Sequence, residues 1–253
     1  MSLRPTSDHP TAAADTPSRA SPGPSSGAGP VASDATGPRP LILVGGLVAL
    51  VVSLLIFGVI ADDVREQEAN ALDGLLSPSL HALANPNLDT VMNGLTTAGS
   101  TLVVLPLLIV ALALLVWRHH RAEALFLLVA MVGSVVLNES LKLLFHRPRP
   151  QLPWAQVQPE YSFPSGHAMN SFVFYGALAL IAGVLWGRRV GVVAMALAIL
   201  LAIAIGTSRI YLGYHYFTDV VGGLFAGAGW LLIMVLALGG ARMRRAHAAE
   251  AAP

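Results

Sequence analysis

The chain contains no cysteine, which excludes disulfide staples, thiolate nucleophiles and cysteine-based zinc sites. Charge is almost as scarce. Only 11% of its 253 residues are Asp, Glu, Lys or Arg, against about one quarter in an average soluble protein. Hydrophobic residues make up 55% and the mean hydropathy is +0.66. Fifteen Lys and Arg with 14 Asp and Glu cannot cover a water-soluble globule of this length. The solvent for most of the chain is therefore a bilayer. A formal net charge of +1 provides no basic field, so no nucleic-acid partner is expected. Polar, proline-broken sequence precedes the first apolar run, so that run is expected to be an uncleaved membrane helix rather than a secretory signal.

Residues 1–40 consist mainly of Pro, Ala, Ser, Thr and Gly without apolar periodicity, and read as a disordered tail. Then come six apolar runs, Leu41–Ala61, Thr96–Trp117, Ala124–Phe145, His167–Gly187, Val190–Ser208 and Val220–Gly240. Each approaches the roughly 20 residues that cross a hydrocarbon core of about 30 Å. Between the first two, residues 62–95 carry several carboxylates, and Leu72, Leu75, Leu76, Leu80 and Leu83 suggest a short amphipathic helix at the interface. Asp73, Pro78 and Pro86 make that stretch unfit to span. The expected fold is all-α: a polytopic six-helix bundle over residues 41–240, with one interfacial helix, the tail 1–40 and a basic tail 241–253.

Six spans place both termini on one side. If that side is the cytoplasm, its segments hold Arg4, Arg19, Arg39, Arg118, Arg121, Arg188, Arg189, Arg242, Arg244 and Arg245. The opposite side holds Arg65, Lys142, Arg147, Arg149 and Arg209. The positive-inside rule favours this orientation and a multi-pass protein of the cell (inner or plasma) membrane.

Polar residues at membrane depth are costly, so they face the interior and mark a function or an internal pairing. Here they gather on the extracytoplasmic side in three stretches. In Lys142-Leu-Leu-Phe-His-Arg-Pro-Arg149-Pro150, the prolines end a helix and leave cations at its terminus. In Phe163-Pro164-Ser165-Gly166-His167, Ser165 suits a helix cap and Gly166 admits a close ligand. The first-turn amides offer a phosphate seat, with His167 beside it. In Ser208-Arg209 to His215 to Asp219, the last two are four apart, so on a helix they share a face. Asp219 can then hold Nδ1–H and leave Nε2 as a lone pair.

Taken singly, these stretches also fit snorkelling cations, a capped turn and a structural His–Asp pair. Together they leave Lys142, Arg149 and Arg209 without counter-charge beside an anion-binding helix end. A phosphate fits that arrangement, whereas a zinc ion at His167, His215 and Asp219 would be repelled. Glu139 is placed to orient Lys142, Asn170 and Ser171 to bond between helices, and Gly222, Gly223, Gly227 and Gly229 to allow close packing. His81, His119, His120 and His247 have no assigned role.

With these residues in view, the sequence resembles the integral-membrane phosphatidic acid phosphatase type 2 family, the lipid phosphate phosphatases related to vanadium haloperoxidases. That family's signature is Lys, six residues, Arg-Pro; then Pro-Ser-Gly-His; then Ser-Arg, five residues, His, three residues, Asp. All three parts stand here, at Lys142 to Arg149-Pro150, Pro164 to His167, and Ser208-Arg209 to His215 to Asp219. The resemblance covers roughly residues 95–235. Arg147-Pro148 is a competing Arg-Pro two residues short of the spacing.

The resemblance implies that His215 attacks phosphorus to form a phosphohistidine, with Asp219 fixing its tautomer. It implies that His167 protonates the leaving oxygen and then activates water, and that Lys142, Arg149, Ser165, Gly166 and Arg209 bind the phosphate oxygens. No metal or other cofactor is implied. One histidine must start neutral and the other protonated, so a bell-shaped pH profile is expected.

A site at the rim of a bundle suits an amphiphile with its phosphate at the interface. The expected partners are the bilayer and a membrane lipid phosphate or polyprenyl diphosphate. Undecaprenyl diphosphate leads if the chain is bacterial, then phosphatidic acid or phosphatidylglycerol phosphate. An anion transporter or channel is the alternative, using the same cations but leaving the histidines idle. A haloperoxidase shares the signature but not the lipid setting.

Overall fold

The structure, a computed structural model, describes residues 40–66, 71–156 and 159–250. The expected disordered tail lies outside the described residues up to position 39, as do residues 251–253. Among the described residues there are helices and no strands: α1 (Pro40–Arg65), α2 (Ala71–His81), α3 (Pro86–Ala98), α4 (Thr101–Trp117), α5 (Arg121–Phe145), α6 (Gly166–Trp186), α7 (Arg188–Tyr211) and α8 (Phe217–Glu250). The last runs ten residues beyond the expected end of the sixth span, so most of the expected C-terminal tail continues a helix.

Among the described residues five helices are long and apolar enough to cross a membrane, and α3 with α4 supplies a sixth only as a pair bent by 45°. The expected span Thr96–Trp117 is thus not one straight helix. Its cause is local. Asn85 caps α3 through its side-chain oxygen, Pro86 sits at the first helical position, and Gly99 and Ser100 close α3 before α4 begins. Along α3, Thr90, Asn93 and Thr97 turn their side chains back onto carbonyls four residues earlier. Residues 62–95 therefore hold two short helices rather than one.

The bundle is centred on α6, which packs against α5, α7 and α8, while α1 lies outside against α8. Leu127 and Ala130 of α5, Val173, Phe174 and Ala177 of α6 and Leu231 of α8 form the buried core. The outward faces stay apolar: Val48, Leu55 and Val59 of α1 and Val192, Leu197 and Leu200 of α7 are exposed. Such faces suit hydrocarbon, and the helices keep their backbone hydrogen bonds internal as a bilayer demands.

Lipid tails are as apolar as leucine, so helices associate through close packing and a few hydrogen bonds. Trp230 of α8 lies over Gly133 and donates Nε1–H to the Ala130 carbonyl at 2.8 Å. Ser53 of α1 donates to the Phe225 carbonyl at 2.9 Å. A Cβ on Gly223 would come within 2.6 Å of the Ser165 carbonyl oxygen, so α8 rests directly on the start of α6. Gly222 and Gly227 are similarly tight, but at Gly229 a Cβ would meet only ordinary contacts at 3.5 Å or more.

Two turns place the site. His146 adopts φ 48° after α5 and returns its N–H to the Lys142 carbonyl, after which Pro148 and Pro150 keep the chain extended. Gly213, at φ 74°, lets the α7–α8 turn settle on Leu152, Trp154 and Ala155 of the α5–α6 connection. Gly223→Ala is expected to cost about 1–3 kcal/mol of stability. Gly58→Ala, with nothing within 4 Å, should be near neutral. Thermal unfolding in detergent checks both, and equal midpoints would contradict the packing account.

Candidate active site

Lys142, Arg149, Gly166, His167, Arg209 and His215 line one cavity of about 520 Å³. They arrive from the end of α5, the α5–α6 connection, the start of α6, the end of α7 and the α7–α8 turn. Ser165 lies just before α6, and Asp219 stands behind His215 in the first turn of α8. The three sequence stretches therefore meet at one end of the bundle. From there the cavity continues between Val104, Leu105 and Leu108 of α4 and Met131, Val132 and Val135 of α5. One end is cationic and the other aliphatic.

His215 is 2% exposed and its Nδ1 faces Asp219 Oδ2 at 3.3 Å. The pair does not arise from one helical face as the spacing suggested, because His215 precedes α8. Asp219 instead reaches back from the third helical position to accept from the Tyr216 N–H at 2.9 Å, the carboxylate half of a capping box. A carboxylate only accepts, so the imidazole proton sits on Nδ1, and Nε2 accepts from Arg149 Nη1 at 3.1 Å. Burial pushes the His215 pKa down to about 4. Asp219 pulls the other way, while Arg209 and Arg149 add to the depression. At neutral pH the ring is uncharged, with its lone pair toward the cavity.

The cations have more counter-charge than the sequence suggested. Lys142 meets Glu139 at 3.0 Å, the pairing expected from their spacing, and Glu160 at 3.1 Å. Glu160 lies 3.7 Å from Arg149 as well. The Lys142 hydrogen bond first, then its charge, holds the Glu160 carboxyl below the usual range. Burial lowers the Arg149 pKa against the opposing pull of Glu160 and Asp219. Both glutamates are mostly exposed, so water weakens these pairs and an incoming dianion can replace them.

Of the expected phosphate-binding side chains, Ser165 Oγ and Arg209 Nε are buried donors without a partner among the described residues. Ser165 stands at the cap position of α6, yet its side chain makes no capping hydrogen bond, contrary to expectation. Its hydroxyl is free for a ligand. Arg209 donates Nη1–H to Thr96 at 2.8 Å and lies 4.3 Å over the Tyr214 ring, which fixes its plane. Buried donors without acceptors are costly, and an oxyanion beside the α6 N-terminus satisfies them. Among the described residues no three His, Asp or Glu side chains gather as a metal cage requires.

Other expectations divide. Asn170 accepts from Ser134 of α5 at 2.6 Å, but Ser171 Oγ has no partner among the described residues. His81 ends α2 and stacks on Trp154 at 4.3 Å, a packing role. Asn138 donates to the Pro164 carbonyl at 3.2 Å and its Oδ1 packs against Gly166, where a Cβ would come within 2.9 Å. Sequence reasoning gave no part to Glu160 and set Arg147 aside, although Arg147 reaches Asp219 at 2.6 Å. Glu160 carried no signal, being one polar residue in a long connection. Arg147 carried one, as a cation inside the motif stretch.

Known proteins share the sequence and fold around this site. Residues 123–242 match the profile of the PAP2 superfamily. An undecaprenyl-diphosphatase of Sulfolobus acidocaldarius is 31% identical over 164 residues, 60% of this chain and 71% of that protein. The chain belongs to the PAP2 superfamily. Phosphatidylglycerophosphatase B of Bacillus subtilis is 29% identical over 187 residues, 73% of this chain and 91% of the relative. The crystal structure of a transmembrane PAP2 type phosphatidylglycerolphosphate phosphatase from Bacillus subtilis superposes with a TM-score of 0.68 at 28% identity. It covers 76% of this chain and 96% of that one.

A PAP2 site with orphaned donors should bind a bare oxyanion. Inorganic phosphate is expected to raise the unfolding midpoint as its concentration rises above Kd. Arg209→Ala should remove most of that rise, and an equal rise in both proteins would contradict the assignment.

Proposed function

We propose that this PAP2 protein hydrolyses a lipid phosphate or polyprenyl diphosphate through a phosphohistidine on His215, without a metal. The observation that carries the reading is the composition of one cavity. The His215 imidazole, its Nε2 facing Arg149, and the Arg209 guanidinium with its unpartnered Nε occupy one end, and an aliphatic groove between α4 and α5 leads away from them. A phosphate held by Arg149 lies within reach of Nε2, and a hydrocarbon tail on the same molecule has a continuous apolar path. The names of the relatives support phosphatidylglycerol phosphate and undecaprenyl diphosphate as the substrates to compare.

In the first step the Nε2 lone pair of His215 attacks phosphorus, forming an N–P bond as the P–O bond to the lipid breaks. His167 gives its proton to the departing oxygen. Asp219 keeps the proton on Nδ1 and balances the positive ring that forms. In the second step His167 takes a proton from water, whose oxygen attacks phosphorus while the N–P bond breaks. Lys142, Arg149, Arg209, Ser165 Oγ and the Gly166 N–H hold the non-bridging oxygens throughout. Positioned charge of this kind supplies most of the catalysis of phosphoryl transfer.

The catalytic domain is residues 41–240, and its site faces the extracytoplasmic side with both termini in the cytoplasm. Arg118, Arg121, Arg188 and Arg189 support this, since they cluster at the α4–α5 and α6–α7 turns, across the bundle from the cavity.

Phosphate release from both lipids should persist in excess chelator and fall by at least about 10⁴-fold in His215→Ala. Retained activity in that variant, or a strict need for divalent ions, contradicts the mechanism. The profile of kcat against pH should be bell-shaped, because it reports the substrate complex, whereas kcat/KM reports the free enzyme. The acidic limb belongs to His215 and in kcat/KM lies well below 6.5, since protonation removes the lone pair only near its lowered pKa of about 4. The alkaline limb of kcat marks loss of the His167 proton, which the negative charge of the bound phosphate sustains in the complex. Comparing a monophosphate with a diphosphate separates substrate ionisation from these limbs, and a monotonic profile contradicts the two roles.

A further inference from the structure

Arg147 is held on the side of Asp219 away from His215. Its Nη1 donates to Asp219 Oδ1 at 2.6 Å and to Thr218 Oγ1 at 2.8 Å, and its Nη2 donates to Asp73 Oδ2 at 2.8 Å. Asp73 comes from α2, the short helix between the first spans. It also accepts from the Thr218 N–H at 2.9 Å and the Thr218 hydroxyl at 2.6 Å. The guanidinium lies 4.2 Å from the Tyr216 ring centroid, so its plane is fixed. Side-chain exposure is 5% for Asp73, 14% for Arg147 and none for Asp219. Neither Arg147 nor Asp73 lines the cavity.

Four groups thus form one buried chain, His215, Asp219, Arg147 and Asp73, in which charge alternates after the neutral ring. We propose that Arg147 and Asp73 are positioning residues that set the basicity of His215 through Asp219. Arg147 turns Oδ2 toward Nδ1 and withdraws charge from the carboxylate, so Asp219 orients the ring without taking its proton. Asp73 neutralises the far side of the guanidinium and caps the Thr218 amide in the turn of α8 that carries Asp219. Burial opposes the Arg147 charge, but Asp219 and Asp73 more than offset it and raise its pKa above the ordinary value.

The groups facing His215 from the surrounding elements are Asp219 of α8, Arg209 of α7, His167 of α6 and Arg149 with Glu160 from the α5–α6 connection. None changes in the variants below. Loss of the Arg147 cation leaves Asp219 a fuller anion beside the ring, favours the imidazolium and moves the acidic limb of kcat/KM to higher pH. Loss of the Asp73 anion leaves Arg147 less compensated, disfavours the imidazolium and moves the limb to lower pH. A role confined to folding predicts no such pair of opposite shifts.

The inference rests on His215 as the nucleophile, so the test is made on full-length protein in detergent with His215→Ala alongside. Arg147→Gln should raise the acidic limb by about one pH unit, and Asp73→Asn should lower it by a similar amount. Each should reduce kcat by about 10- to 100-fold with KM little changed, because neither residue touches substrate. Arg147→Lys, which keeps the charge, should hold the limb near its original position even where stability falls. Limbs that stay in place, or move in the same direction, overturn the inference while leaving the nucleophile intact. Activity in His215→Ala would instead overturn the mechanism beneath it.

Discussion

A carboxylate that reaches no water must find its hydrogen bonds inside the protein, and Asp219 finds them on both oxygens. Arg147 occupies one, while His215 and the Tyr216 amide share the other. An unsatisfied buried charge is among the costliest defects a fold can hold. Satisfying this one brings the α7–α8 turn, the α5–α6 connection and, through Asp73, α2 to a single point. The Asp219 carbonyl also accepts from the Ser165 N–H at 2.9 Å, which brings in the start of α6. His215, the start of α6 and the short helix α2 are therefore organised around one side chain.

This constraint explains what could be read from sequence. The membrane class followed from how little charge there is to cover a surface, and five spans from uninterrupted apolar length. The convergence of Lys142, Arg149, Ser165, His167, Arg209 and His215 followed from their places at helix ends in an up-and-down bundle. What stayed hidden depends on partners distant in the chain. Asp73 reads in the sequence only as a residue that keeps its helix from spanning, since nothing local reveals an arginine 74 positions later. The bend between α3 and α4 depends on Gly99 and Ser100, which read as ordinary membrane-helix residues. Glu160 neutralises Lys142 and Arg149 from a connection without periodicity, so those cations seemed uncompensated.

The cavity's two ends describe its ligand. Fixed cations, a helix N-terminus and buried donors suit a group with several oxygens and negative charge, while the α4–α5 groove suits a hydrocarbon chain. Neither end alone separates an enzyme from an anion-binding protein. The oriented imidazole does, because a transport site has no use for a neutral histidine held by a carboxylate with its second nitrogen beside the cations. The exposed glutamates fit the same picture, since they screen the cations from each other and can give way to a phosphate at little cost.

The central claim is that His215 carries the phosphoryl group, and locating that group tests it most directly. His167→Ala, given an aryl phosphate whose leaving group needs no acid, should form the intermediate and hydrolyse it slowly. Rapid quenching under alkaline conditions followed by mass spectrometry is predicted to find one phosphoryl group per chain, on His215. Phosphate released at that rate with no modified residue, or with the group on a residue other than His215, would contradict the account.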